Sequence, residues 1–348
     1  MGQFAVAGEK HDRPLFRLKN CEVILNEECN ARCVFCYQPG LEQKVQRMSF
    51  EKVAEVLYRG RRNGCWIAYL IGGEITLRED LPKIVRFAAK TGYPCVHIMS
   101  NGLKLAEFNY ARELVEAGAN LFTISVHGHS AAIHDGLVGI KGAFKRVSRA
   151  LDNLKKLGAD VRVNNALNRV NFDTVDLLIK KLTARFGLTD INIIFPHYSG
   201  MMSKNADKLS VSVTEVRPHL RRALECVRDS GVKMEGPLLI NFCPCNLPEG
   251  AHLMGEWARP LKKTEDEELH HLDGGRDMIY AMKERIRAKN VSCRRCVYDK
   301  KCMGFEKWYA DLFGGLEFKP VLKKALAFPL QTSHARLKKY QRAINGSK

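Results

Sequence analysis

No stretch of the 348 residues approaches the roughly 18 uninterrupted apolar positions that a membrane-spanning helix requires. The opening residues carry Glu9, Lys10, His11, Asp12 and Arg13 and lack the continuous apolar run of a secretory signal. Low-complexity segments are missing, and no internal repeat exists beyond an alternation of strand-like and helix-like patterns. Acidic residues are scarce: 38 Asp and Glu stand against 56 Lys and Arg, a formal charge of +18. From Phe318 to Lys348 there are eight Lys or Arg and no acid. These shortages exclude a membrane span and make a cytoplasmic location the expectation. The basic balance favours anionic partners (nucleic acid, nucleotides or an acidic membrane face), unless the tail is simply a solvated, solubilising segment. No aromatic-rich RNA-recognition motif accompanies it.

What is present is a chain with 45% hydrophobic residues, enough to bury a substantial core and too many for wholesale disorder. Its length allows one large α/β barrel or two ordinary domains. Strands are predicted at Cys21–Leu25, Trp66–Ile71, Cys95–Met99, Leu121–Val126, Val161–Leu167 and Ile191–Phe195. Between them lie amphipathic helices. Val175, Leu178, Ile179, Leu182 and Phe186 trace one buried stripe, and Phe144, Val147, Leu151, Leu154 and Leu157 trace another. Ser49 suits a helix N-cap, and Gly158 and Gly187 suit helix ends. Six strand–helix repeats predict parallel strands with right-handed crossovers and an active site in the loops after the strands. Periodicity alone does not choose between an open, doubly wound sheet and a full or partial barrel.

After about residue 232 the pattern breaks down into Pro- and Gly-rich sequence with Cys243-Pro-Cys245, an acidic stretch at Glu265–Glu268 and a late cysteine group. So irregular a segment has little core of its own and predicts a smaller domain held together partly by metal. The expected division is an N-terminal extension over 1–19, the α/β unit over 20–231, the smaller domain over 232–317 and a basic tail over 318–348.

Twelve cysteines in a cytoplasmic chain read as metal ligands or reactive thiols rather than disulfides. Cys21, Cys65, Cys95 and Cys226 are isolated and read as structural thiols. Cys29-Asn-Ala-Arg-Cys33-Val-Phe-Cys36 is different: three thiolates this close, at the end of the first strand, match three irons of a [4Fe–4S] cube and leave the fourth open. A zinc site would call for a fourth protein ligand nearby.

This C-x₃-C-x₂-C spacing, with Phe35 before the last cysteine, resembles the signature of the radical SAM superfamily. Gly72-Gly73-Glu74 after the second strand resembles the family's GGE motif, with Ile75 in place of the usual Pro. The resemblance implies a partial (β/α)6 TIM-like barrel and S-adenosylmethionine chelated by the open iron. Reductive cleavage to a 5′-deoxyadenosyl radical and hydrogen abstraction from a substrate follow. It implies that Glu74 accepts a hydrogen bond from the methionine ammonium, with Gly72 and Gly73 giving the backbone close approach. It further implies that polar strand-end residues (Ser100, Asn101, Ser125 and Asn164) contact the cofactor, or else serve turn and cap duty. His127 stands at another such position. A reducing electron donor of the flavodoxin or ferredoxin class is the expected partner.

Cys293-Arg-Arg-Cys296 followed by Cys302 resembles the auxiliary-cluster segment of the twitch and SPASM subfamilies, making this a small, irregular α+β metal-binding domain. Cys245 or Cys243 would complete a second [4Fe–4S] site, with Cys245 preferred; structural zinc is the alternative. Five late cysteines do not supply two four-ligand clusters. The subfamily resemblance allows a peptide substrate or a nucleotide, as in the molybdenum-cofactor cyclase. The chain closes on Asn345-Gly346-Ser347-Lys348 rather than that cyclase's Gly-Gly pair, and the expectation is another member. An anionic small molecule or RNA suits the basic tail.

Overall fold

Six apolar runs form strands within one residue of their predicted ends. They are β1 (Asn20–Ile24), β2 (Ile67–Ile71), β3 (Cys95–Ser100), β4 (Leu121–Ser125), β5 (Asp160–Ala166) and β6 (Ile191–Ile194). In this computed structural model the described residues are 20–37, 46–235, 238–254, 268–271, 276–278, 283, 285–324, 332–333 and 340. The N-terminal extension, the acidic stretch before Glu268 and most of the basic tail lie outside them.

The six strands pair in parallel and in chain order. Helices connect them: α1 (Phe50–Arg62), α2 (Leu81–Lys90), α3 (Phe108–Glu116), α4 (Ala131–Val138), α5 (Ala143–Lys156) and α6 (Val175–Phe186). Their boundaries follow local chemistry. The Ser49 hydroxyl accepts from Lys52 N at 3.2 Å to cap α1, and Gly187 ends α6 in the left-handed region at φ 68. The predicted α6 stripe is buried throughout, whereas Phe144 and Leu157 at the ends of the α5 stripe are half-buried. After β6 come two short helices, α7 (Gly200–Lys204) and α8 (Ala206–Leu209), and the long α9 (Val213–Asp229), which opens on a Ser212–Glu215 capping box.

The sheet continues beyond the six repeats. β7 (Met234–Glu235) pairs elsewhere, with Thr332–Ser333, but β8 (Leu239–Ile240) lies parallel beside β6. At the opposite edge β9 (Glu268–His270) lies parallel beside β1, and β10 (Arg276–Met278) runs antiparallel to β9. The result is one nine-stranded sheet, eight strands parallel, whose end strands β10 and β8 are not paired with each other. It is a partial barrel.

One face of the sheet packs on the helices through Val23, Leu70, Ile98, Phe122, Val163 and Ile193, all buried. The other face carries polar side chains among apolar ones. Tyr69 stacks on His97 at 4.2 Å, and His97 Nε2 lies 2.7 Å from Thr123 Oγ1. At the N-terminal ends of the strands this inner face is sealed by Tyr340, packed with Ile67, Cys95 and Leu121 and donating its hydroxyl to Asp160 Oδ2 at 3.0 Å. The open end is therefore the C-terminal one, where the loops after the strands carry the candidate residues.

Candidate active site

The cysteine loop leaves β1 and is held from three directions. Gly73 N donates to Asn26 O at 2.8 Å and Glu74 N to Glu28 O at 2.7 Å, joining the loop's entry to the end of β2. A Cβ on Gly73 would stand 2.3 Å from Glu28 O, and one on Gly72 2.5 Å from Asn26 O. The two glycines are thus required by the cysteine loop's own backbone. From the second side, the C-terminal end of α4 accepts Arg32 N and Val34 N, each at 3.0 Å, on the carbonyls of Val138 and Leu137. From the third, Met201 N in α7 donates to Cys36 O at 2.7 Å, and Asn205 Nδ2 donates to Val34 O at 2.8 Å.

Glu74 is fully buried. Its Oε1 accepts from Thr76 N, Thr76 Oγ1 and Ser100 Oγ at 3.1, 2.6 and 2.8 Å, and its Oε2 accepts from Asn101 N at 2.6 Å. Burial pushes the carboxyl's pKa up, while the four donors pull it down. Burial is the larger effect, so the carboxyl titrates above its ordinary range. Oε2 carries a single bond and keeps capacity for another donor. Asn101 reaches the cysteine loop through its own amide, Nδ2 to Asn30 Oδ1 at 2.8 Å, and accepts from Leu103 N on Oδ1. Ser100 Oγ also accepts from Gly102 N. Glu74, Ser100 and Asn101 therefore form one fixed support beside Cys29.

The thiols of Cys29 and Cys33 are pushed up to about 11 and about 12, chiefly by burial, with the neighbouring cysteines and Glu74 adding to the rise. Anionic neighbours that oppose one another's ionisation are the donor chemistry a cationic iron centre neutralises. A polar row lies on the inner face of β4–β6. The strand register sets Ser125 opposite Asn164 and Asn164 opposite Asn192. Asn192 Nδ2 donates to Asn164 Oδ1 at 2.9 Å, and the buried Asn192 Oδ1 has no partner among the described residues. Asn165, one residue on, instead donates to Val126 O on the buried side. Sequence reasoning missed Asn192; its signal is a lone amide within the apolar run Ile191-Asn192-Ile193-Ile194.

His127 is buried at the end of β4, with the Phe35 ring edge-on at 4.5 Å. Its Nδ1 accepts from Ala166 N at 3.2 Å, so the neutral ring carries its proton on Nε2. Burial and the neighbouring His134 depress its pKa well below the usual histidine value.

The five late cysteines share a second place. Cys243, Cys245, Cys293, Cys296 and Cys302 line one open cavity. Cys243 is buried and within hydrogen-bond reach of both Cys245 and Cys302, which pushes its thiol up. Cys302 is lowered to about 7 by the Cys243 thiol first, then by Gly304 N–H and the cations Lys289 and Arg287, against the effect of burial. Among the described residues no group of three or more His, Cys, Asp or Glu is placed to hold a single metal ion. Five thiol donors around one open cavity are nonetheless a donor set suited to iron and sulfide.

A polar network ties this cavity to the open end of the barrel. Asn241, a non-glycine at φ 64, directs the chain from β8 toward Cys243. Its Nδ2 donates to Phe195 O and His197 Nε2, and its Oδ1 accepts from Arg287 at 3.1 Å. His197 Nδ1 contacts Glu306 in turn. Arg287 and Glu306 belong to a two-stranded ribbon, β11 (Arg287–Ala288) and β12 (Phe305–Glu306).

Comparison with known proteins decides the family. The profile described as "Radical SAM superfamily" matches residues 23–182. A "Probable GTP 3',8-cyclase" from Saccharolobus solfataricus is 30% identical over 215 residues, 62% of this chain and 67% of that protein. The chain belongs to the radical SAM superfamily. A Sulfolobus acidocaldarius protein of the same name is 26% identical over 204 residues, 58% of this radical SAM chain and 64% of that one. Among solved structures, Streptococcus suis SuiB bound to the precursor peptide SuiA superposes with a TM-score of 0.65 at 12% identity, over 88% of this chain and 76% of that one. Native anSMEcpe with bound AdoMet gives 0.61 at 16%, over 93% and 98%. These two share the fold. As a radical SAM protein the chain is an enzyme, and the family implies S-adenosylmethionine and a [4Fe–4S] cluster as its cofactors. No helix among the described residues is long and apolar enough to cross a membrane.

Proposed function

We propose that Cys29, Cys33 and Cys36 hold the catalytic [4Fe–4S] cluster, that S-adenosylmethionine lies between it and the inner face of β4–β6, and that the substrate is an anionic, nucleotide-type molecule. The observation that carries this reading is the cysteine loop clamped beside Glu74 and Asn101, in a barrel whose inner face carries a polar row with unused hydrogen-bonding capacity. Cluster and cofactor together would supply a 5′-deoxyadenosyl radical. The chain's own groups do the rest. Glu74 Oε2 has one open lone-pair direction for an ammonium donor. The Ser125 hydroxyl and the Asn164 amide N–H₂ are unpaired among the described residues, and with Asn192 Oδ1 they offer donors and an acceptor to a ribose or carboxylate. Phe35 and His127 pack against one another beside Cys36 and exclude water.

The nucleotide reading draws on the name borne by the curated relatives and on the basic balance of the chain. The segment 232–317 we assign to a second [4Fe–4S] cluster, with Cys293, Cys296, Cys302 and Cys245 or Cys243 as ligands. Its role is redox exchange with the substrate or substrate binding.

The test is iron, sulfide and zinc per chain after anaerobic reconstitution, together with 5′-deoxyadenosine formed under low-potential reductant. Wild type should carry about eight irons and a Cys293→Ala/Cys296→Ala variant about four. Addition of GTP should raise 5′-deoxyadenosine formation and consume the nucleotide, and Cys36→Ala should abolish both. Wild-type protein that never forms 5′-deoxyadenosine would refute the activity. Four irons with one zinc that leaves with Cys293 and Cys296 would make the C-terminal segment structural.

A further inference from the structure

Eleven large hydrophobic side chains are exposed among the described residues, and six of them fall between Val291 and Leu322, around the late cysteines. Leu316 is 89% exposed, Val291 81% and Leu322 65%. Named contacts gather the segments that carry them around the late cysteines. Trp308 and Leu312 stand one turn apart on the helix Lys307–Phe313, which runs into Leu316. Asn290 Nδ2 donates to Gly315 O at 2.6 Å, joining the segment that leads into Val291 to the one that leads into Leu316. Cys293 follows, its N bonded to Asn290 O. Val297 N donates to Val321 O, and Val321 N approaches Cys296 Sγ at 3.4 Å, which sets Val297 and Leu322 on the other flank.

The charge on this surface has one sign. From Arg294 to Lys324 eight lysines and arginines are exposed, Arg294, Arg295, Lys300 and Lys324 among them, and Asp311 is the one exposed acid. The remaining acids are engaged: Asp299 with Lys289, Glu306 with His197, and Glu317 with Thr214 and Tyr309. Apolar patches on monomeric proteins mark interaction sites, and a rim of one charge selects an oppositely charged partner and speeds its encounter.

We infer that this face docks a small acidic electron-transfer protein carrying a flavin or an iron–sulfur centre, directly over the second cluster. The inference rests on the proposed second cluster in the cavity beneath. Cys293 and Cys296 are both partly exposed at this surface, so a carrier seated on Val291, Leu316 and Leu322 comes within reach of the cluster they would ligate. The exchange is of a single electron: the carrier is oxidised by one electron, the cluster is reduced by one, and no bond to either is made or broken. A weak, salt-sensitive encounter of the size common to redox pairs suits the patch.

The test uses full-length protein reconstituted in a Cys29→Ala/Cys33→Ala/Cys36→Ala background, which leaves the second cluster as the electron acceptor. Its reduction by flavodoxin hydroquinone is followed by stopped-flow absorbance, with dithionite as the small-molecule control. Leu316→Glu and, separately, Lys323→Glu/Lys324→Glu should each slow reduction by flavodoxin about tenfold, and raised salt should do the same. Dithionite reduction of the Leu316→Glu protein should change less than twofold. Flavodoxin rates unaltered by both variants and by salt overturn the docking surface. A salt-insensitive shift from dimer to monomer on Leu316→Glu overturns it too, because the patch then belongs to a second copy of this chain. A background protein that binds no iron refutes the second cluster itself, a failure visible before any flavodoxin is added.

Discussion

Each carboxylate oxygen of Glu74 accepts from a backbone N–H, Oε1 from Thr76 and Oε2 from Asn101, so a carboxamide in its place would set an N–H₂ group against one of them. Glu74→Gln is expected to cost about 1–3 kcal/mol of stability by chemical unfolding, because a buried donor is left unpaired. It should also weaken S-adenosylmethionine binding measured by equilibrium dialysis. His134 is buried, its Nδ1 accepts from His127 N, and burial lowers it from 6.5 to about 4. Because the folded value is depressed, its contribution is present above about pH 6.5 and is lost as pH falls toward 4. Urea unfolding at pH 7 and pH 5 should show less loss of stability in His134→Gln than in wild type. At this scale the placement of Cys29, Cys33 and Cys36 on one loop after β1 is legible in their spacing. Asn192 was hidden because its meaning comes from lying opposite Asn164 in the sheet register, which no local pattern records.

Elements differ in how plainly they announce themselves. The six long strands and α6 are readable because runs of four or more residues with a buried face leave a clear pattern. β8 and β9, two and three residues long, leave none, and they lie in a region read as a separate irregular unit. The same holds for α7, a five-residue helix whose backbone nonetheless clamps Cys36. Glycines separate the two kinds of constraint. At Gly73 an added Cβ meets two backbone carbonyls, at 2.3 and 2.4 Å, so Gly73→Ala should displace the cysteine loop and lower iron incorporation while circular dichroism keeps its helical signal. Gly136 sits inside α4, where an added methyl would meet nothing within 4 Å. Gly136→Ala should therefore raise stability by about 0.5–1 kcal/mol in urea unfolding.

For the molecule as a whole, the part of the chain after Gly231 is as much a component of the sheet as of the second cysteine site. β9 covers the outer edge of β1, and β8 covers that of β6. A chain ended at Gly231 would leave both edges bare, and it should self-associate in sedimentation velocity where the full chain does not. Synthesis imposes the same situation for a time. At ordinary translation rates the interval between the emergence of Cys21 and of its partner Glu268 is on the order of 10–50 s. During that interval the nascent sheet presents an open margin beside the loop that holds Cys29, and whatever shields it on the ribosome shields that cysteine loop as well.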